Sequence, residues 1–265
     1  MRADQLLVQR GLAQSRSQAA RLIDAGARCL QRGQWKPLRK SDDLLEDAQI
    51  ELADVAEAKY VSRGGLKLEG ALLASGVQVQ GKVCLDIGQS TGGFTDCLLQ
   101  HGATGVVGID VGHGQLHPRL RAHPQVVCVE KVNVRTLVAT DLIAACAIFN
   151  WSEGLFDRKL QDGSIGCEVM VGDVSFISQT LIIEALVGLL RPGGEVLMLV
   201  KPQFELQPEQ IGKGGLVKDP AHYAEVEQRI RSAYAEQGLL VRKYFDSPIE
   251  GGDGNREFFV HAVHS

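Results

Sequence analysis

The sequence predicts an α/β protein in two parts, a doubly wound parallel sheet of seven strands preceded by a small basic α+β unit. Three observations carry this reading. From residue 60 onward, short apolar runs alternate with helical stretches, the pattern of repeated βαβ units. The first of those runs ends in a glycine-rich turn, Asp86-Ile-Gly-Gln-Ser-Thr-Gly-Gly. Charge is also unevenly divided: residues 1–40 hold nine Lys or Arg against Asp4 and Asp24, a balance of +7, while residues 41–58 hold seven acids and no base. The remaining residues are mildly acidic, so the net charge of −4 conceals a basic head on an acidic body.

A chain of 265 residues accommodates two domains, and the composition shifts place them at 1–58 and 67–265 with a linker at 59–66. With 45% apolar and 23% charged residues the chain is of ordinary globular composition, which excludes disorder and fibrous repeats. The start, Met1-Arg-Ala-Asp-Gln, carries charge where a secretory leader needs an apolar run. The most apolar windows, 181–190 and 195–200, are too short to cross ~30 Å of hydrocarbon, so no membrane partner is expected. Cys29, Cys84, Cys97, Cys128, Cys146 and Cys167 form no C-x-x-C pair and are read as reduced residues of a cytoplasmic protein without zinc.

In the head, Leu6, Leu7 and Val8 mark a helix over 3–9 that Gly11 stops, and Ala20, Leu22 and Ile23 mark a second over 17–25 with Ser15 as its cap. Short strands follow. Arg2, Arg10, Arg16 and Arg21 lie on or beside these helices, where guanidinium groups can fork onto phosphate oxygens. A polyanion-binding module is the reading that follows.

In the body, strands are expected at 83–87, 105–110, 125–129, 168–171 and 195–200, with helices near 67–73, 95–100, 178–190 and 223–237. Two final strands, 239–245 and 257–263, lie close together in sequence. The turn after the first strand has the spacing G-x-x-x-G-G, at Gly88, Gly92 and Gly93. It fits neither the dinucleotide pattern G-x-G-x-x-G nor the triphosphate loop with its lysine. A loop of this kind at the carboxyl edge of a parallel sheet suits a ligand whose backbone-contacting part is an amino acid rather than a phosphate, and S-adenosylmethionine is that ligand. Asp86, Ser90 and Thr91 line the same turn. Asp110, at the end of the second strand, stands where a carboxylate accepts both ribose hydroxyls of an adenosyl group. Asn133, past the third strand, either reaches the adenine edge or serves as a turn residue. His113, His117 and His123 lie close in sequence, but Gly114 and Pro118 break the helix that an i, i+4 metal pair would need, so no metal is expected.

Two further strings follow neighbouring strands: Gly172-Asp-Val-Ser-Phe-Ile-Ser after the fourth and Val200-Lys-Pro-Gln-Phe-Glu after the fifth. Asp173 and Lys201 can therefore face the crevice that holds the glycine loop. Transfer of a group to a hydroxyl needs a base, and a lysine amine serves when a second cation or desolvation favours its neutral form. Arg63-Gly-Gly-Leu-Lys67 offers a second cation, and Gly254-Asn-Arg-Glu257 offers a carboxylate at the opening of the last strand.

Two resemblances cover nearly the whole chain. Arg2, Asp4, Leu6-Leu7, Arg10-Gly-Leu-Ala, Ser15-Arg-Ser-Gln-Ala, Leu22-Ile and Gly26 resemble the αL RNA-binding module of ribosomal proteins and pseudouridine synthases. Here Arg28-Cys-Leu-Gln-Arg-Gly-Gln-Trp replaces the usual valine-rich strand and Asn-Gly turn. The set Lys67, Asp173, Lys201 and Glu257 resembles the Lys-Asp-Lys-Glu tetrad of FtsJ-like ribose 2′-O-methyltransferases. Together with Ser62-Arg-Gly-Gly-Leu-Lys-Leu and Ser247-Pro-Ile-Glu-Gly-Gly-Asp-Gly-Asn-Arg-Glu, it gives the chain the look of the TlyA family, also labelled haemolysin A. The resemblance implies an S-adenosylmethionine-dependent methyltransferase acting on cytidine ribose, with ribosomal RNA or ribosomal subunits as partner. It also implies that Lys201 is the base, Asp173 its orienter, and Glu257 the holder of Lys67. Residues 141–163 look like an insertion, and Gln89 stands where the family often has Ala. A non-catalytic RNA-binding or ribosome-assembly protein would explain the head but not the tetrad, and a membrane-acting haemolysin would need an amphipathic or spanning segment the chain lacks.

Overall fold

The computed structural model describes residues 1–13, 15–31, 33–52, 59–138, 140, 142, 166–251 and 254–265. The chain forms two compact units, Met1–Leu66 and Lys67–Ser265, so the 59–66 segment read as a linker falls in the first.

In the first unit, α1 (Ala3–Gln9) and α2 (Arg16–Asp24) are followed by β1 (Arg28–Gln31), β2 (Gln34–Pro37) and β3 (Ile50–Glu51). Ala3, Leu6 and Leu7 from α1 and Ala19, Leu22 and Ile23 from α2 are buried together with Cys29 of β1. The Ser15 side chain accepts from Gln18 N at 3.2 Å, which satisfies one of the orphan amides at the start of α2. Gly11, at φ +68°, lets the chain turn out of α1. β1 sits between β2 and β3, antiparallel to both.

The second unit begins in α3 (Gly64–Ser75) and continues through β4 (Val83–Ile87), α4 (Gly93–Gln100), β5 (Gly105–Asp110), α5 (Pro118–Arg121), β6 (Val126–Glu130), β7 (Cys167–Gly172), α6 (Ile183–Val187), β8 (Leu190–Val200), α7 (Pro202–Glu205), α8 (His222–Glu236), β9 (Leu239–Asp246) and β10 (Phe258–His264). The seven strands are ordered β6-β5-β4-β7-β8-β10-β9. β4 pairs in parallel with β5 and β7, as do β5 with β6 and β7 with β8. β10 runs antiparallel between β8 and β9. Leu85, Ile87, Val107, Ile109, Val127, Met170 and Met198 are all fully buried, which is why these strands read as continuous apolar runs rather than alternating ones. Strand order reverses between β4 and β7, and that switch point opens a crevice at the carboxyl ends of the strands.

One expected element is corrected. Instead of a single helix over 178–190, the chain makes a 3₁₀ turn (Gln179–Leu181) and the short α6, and Leu190 already belongs to β8. Gln179 is buried and donates its side-chain amide to Leu199 O at 2.7 Å, a tie that fixes it in the turn, while Gly188 caps α6 and Leu190 pairs with Cys167. The expected insertion, 141–163, lies outside the described residues except for Leu142, which is buried. No described helix is long and apolar enough to cross a membrane. Cys29, Cys84, Cys97, Cys128 and Cys167 are free thiols, and Cys146 lies outside the described residues.

Candidate active site

The glycine turn joins β4 to α4 over Gly88-Gln-Ser-Thr-Gly92. Gly88 has φ +81°, and a Cβ there would lie 2.6 Å from Asp173 O, so the turn passes against the backbone that follows β7. Gly92, at φ +94°, caps α4, with Gly93 as the first helical residue. Thr91 O accepts from His117 N at 3.2 Å. Asp110 sits beside the turn: its Oδ2 accepts from Ser90 N and its Oδ1 from Gly112 N, both at 2.7 Å. One carboxylate thus fixes the turns after β4 and β5, and each oxygen keeps a lone pair for another donor.

Asp86 lies beneath this turn with no exposed surface. Thr95 donates to its Oδ2 at 2.6 Å, and Gln89 donates to Thr95 Oγ1 at 2.8 Å. Burial pushes the Asp86 carboxyl up to about 7, with the nearby charges of Asp173 and Asp110 acting in the same direction and Thr95 against it. Asp86, expected among the cofactor-binding residues, thus lies buried under the turn and tied to it through Thr95 and Gln89. Gln89 lies against β5, where a Cβ on Gly108 would fall 1.9 Å from its amide. The glycine inside β5 makes room for the Gln89 side chain. Asn133 caps the 3₁₀ turn Val134–Thr136, accepting from Arg135 N at 3.0 Å.

Asp173 directly follows β7, Lys201 directly follows β8, and Glu257 immediately precedes β10. β10 pairs with β8 so that Phe258 faces Val200, which brings Glu257 to the level of Lys201. Lys67, on α3, is 8% exposed and donates to Glu257 Oε2 at 2.5 Å. Lys201 Nζ lies 2.5 Å from Asp173 Oδ1 in an ion pair, and donates a hydrogen bond to Ser175 Oγ at 2.7 Å. A carboxylate and a hydroxyl from the segment after β7 thus both reach the Lys201 amine. Burial raises the Glu257 carboxyl above its ordinary value, while the bond from Lys67 and its charge pull it back; Asp173 and Lys201 also act on it, with opposite signs. The four expected residues thus form two lysine–carboxylate pairs within reach of each other's fields.

Two residues in the same place were quoted in the sequence without a role. Ser175 holds Lys201 as described. Phe176 is 91% exposed at φ +63°, and its ring packs 5.1 Å from that of Phe204, which in turn lies 6.0 Å from Lys201 Nζ. An aromatic side chain aimed at solvent is the signal, and it can be read only once the turn after β7 is known.

In the first unit, Arg2 and Arg16 both bond Asp4, at 3.0 and 2.7 Å, which holds that carboxyl down at about 2. Arg10 donates to Ala48 O, and the Ser15 hydroxyl is occupied as the α2 cap. Arg21 lies half-buried in the last turn of α2. Arg2 and Arg16 are thus ordered by one acid rather than left as independent charges. Among the described residues no three His, Cys, Asp or Glu are grouped as metal ligands.

The glycine turn packs against Asp173 O at Gly88 and against Leu116 and Leu120 at Gly92, too closely to admit a Cβ, and Asp110 retains acceptor capacity beside it. The residues present fit an amino-acid-bearing adenosyl group. Residues 60–263 match the FtsJ-like methyltransferase family. The chain is similar to the 16S/23S rRNA (cytidine-2′-O)-methyltransferase TlyA of Mycobacterium tuberculosis, with 39% identity over 98% of this chain and 88% of that one. It is also similar to Hemolysin A of Brachyspira hyodysenteriae, with 35% identity over 99% of this chain and the whole of the other. A solved structure described as a hemolysin of Streptococcus thermophilus superposes with a TM-score of 0.72 at 35% identity, covering all of this chain and 88% of that one.

Proposed function

Because the chain belongs to the FtsJ-like methyltransferase family, we propose that it transfers a methyl group from S-adenosylmethionine to a ribose 2′-hydroxyl of ribosomal RNA, with cytidine as the nucleotide. The observation that carries this reading is the meeting of two lysine–carboxylate pairs, Lys201 with Asp173 and Lys67 with Glu257, beside a glycine turn built for close backbone approach.

S-adenosylmethionine supplies an electrophilic methyl on a sulfonium sulfur. Gly88, Ser90, Thr91, Gly92 and Gly93 would hold its amino-acid part and Asp110 its ribose hydroxyls, with Asn133 at the adenine side and Asp86 bracing the turn from below. Lys201 Nζ takes the proton of the 2′-hydroxyl, because a ribose hydroxyl is a poor nucleophile until its proton is leaving. Asp173 and Ser175 aim that amine, and Lys67, held by Glu257, places a second cation nearby. Phe176 offers an open ring on which a splayed base can stack, the usual mode of single-stranded RNA recognition. Arg2, Arg10, Ser15, Arg16 and Arg21 form the docking face of the head for ribosomal RNA or a ribosomal subunit, with Asp4 spacing two of the guanidinium groups.

Incubation with methyl-labelled S-adenosylmethionine and purified ribosomal subunits, followed by digestion to nucleosides, tests the reading. Label in 2′-O-methylcytidine is the expected outcome. Label on a base, or in no nucleoside, contradicts it.

A further inference from the structure

Glu205 is 4% exposed and belongs to none of the groups assigned so far. It ends α7, one helical turn after Lys201, which caps the same helix. Its Oε2 accepts from Ser178 Oγ at 2.5 Å and its Oε1 from Gln179 N at 2.8 Å. Both donors lie on the segment that begins with Asp173. Gln179 also donates its side-chain amide to Leu199 O, two residues before Lys201, and accepts from Tyr234 Oη at 2.9 Å. Arg229 donates to the Glu205 carbonyl. The 173–179 segment is therefore stitched to the 199–205 segment on both sides of Lys201, through buried Gln179 and Glu205 and half-buried Ser178.

Burial of a carboxylate is a poor source of stability, since its desolvation offsets much of what its bonds return. Two buried acceptors aimed at one segment do fix geometry, and each becomes costly if left unmade. We infer that Glu205 is a positioning residue for methyl transfer: by accepting from Ser178 and Gln179 it sets where Asp173 and Ser175 stand relative to the Lys201 amine. The inference rests on the proposed reaction but makes a geometric claim of its own. Glu205 touches neither substrate nor reacting atoms, and acts through the Lys201 contacts.

The test uses the full chain with lysine labelled at Cε, and assigns the Lys201 resonance by its loss in Lys201→Arg. Glu205→Gln and the milder Ser178→Ala should both move the Lys201 Cε resonance while leaving that of Lys67 in place. Ser178→Thr, which keeps the hydroxyl, should restore it. In single-turnover transfer, Glu205→Gln and Ser178→Ala should slow the step by about 10- to 100-fold, the scale expected for a displaced reacting group, with S-adenosylmethionine affinity within about twofold of wild type. The double variant should be no slower than the slower single one, since both remove the same tie. Val127→Ala, a cavity variant on the edge strand β6, with three strands between it and β8, serves as the stability control and should leave resonance and rate unchanged. An unmoved Lys201 resonance in both Ser178→Ala and Glu205→Gln overturns the inference, as does loss of activity that only tracks loss of stability. If the wild type transfers no methyl while the Lys201 resonance still moves, the proposed reaction fails and the positioning claim stands.

Discussion

Asp86 and Lys201 illustrate two uses of a titratable group, one enclosed under the cofactor turn and one held at the mouth of the crevice. The Asp86 carboxyl is raised to about 7 in the folded chain, against ~3.9 for an unperturbed Asp. The native state therefore keeps a proton that the unfolded chain has already released, and the associated stability is fully present below about pH 4 and lost as the pH rises to 7. Three units correspond to about 4 kcal/mol at 1.36 kcal/mol per unit. Asp86→Asn cannot ionise and escapes this loss. Urea unfolding at pH 5 and pH 8 should show the variant gaining on wild type by a few kcal/mol at the higher pH; a difference that does not change with pH would remove the ionisation from the account. Lys201, by contrast, is reached by Asp173 and Ser175 on a segment open to the crevice. Nothing in sequence spacing identifies Ser175 as its partner, because that contact depends on the turn after β7.

At the level of elements, the β4 turn closely approaches the segment after β7, and the proposed cofactor site depends on that approach. Gly88→Ala places a methyl at 2.6 Å from a backbone oxygen in a conformation that L residues rarely adopt, and should cost roughly 1–3 kcal/mol. Gly102, at φ +84°, is a matched control whose added Cβ meets only the flexible Gln80 side chain at 3.2 Å. Both variants should lower Tm, but only Gly88→Ala should weaken S-adenosylmethionine binding in calorimetry; equal cofactor affinity in the two would detach the turn from the site. The strands were legible because layers on both faces leave only apolar residues inside, as with Leu85 and Val107. The 178–190 stretch misled for the opposite reason. Its helical spacing is real, but the buried bond from Gln179 to Leu199 O holds it in a turn, and spacing carries no trace of a partner on another strand. Asp173 and Lys201 could be placed from strand ends alone, whereas the pairing of Lys67 with Glu257, 190 residues apart, was reached only through the family resemblance. Gln89 shows local accommodation: Gly108 inside β5 leaves room for its amide.

Across the whole molecule, charge is divided between a basic head and an acidic body, and the head's charge is less free than its count of nine bases implies. Arg2 and Arg16 are held by Asp4, and Arg28 and Lys40 by Glu51 and Asp24. Binding of ribosomal RNA should weaken with salt through counterion release, and Arg16→Ala should reduce the salt slope by about one while leaving S-adenosylmethionine affinity unchanged. A slope unchanged in that variant would take Arg16 off the RNA face. The central claim concerns the amine at the end of β8. Lys201→Arg keeps the positive charge but cannot act as a base, because a guanidinium does not release its proton in the working pH range. Single-turnover methyl transfer to ribosomal RNA is the most direct measurement. The account predicts cofactor and RNA affinities close to wild type with a rate lower by ~10²–10⁴-fold, the range typical for loss of a general base. Transfer at the wild-type rate in Lys201→Arg would contradict it.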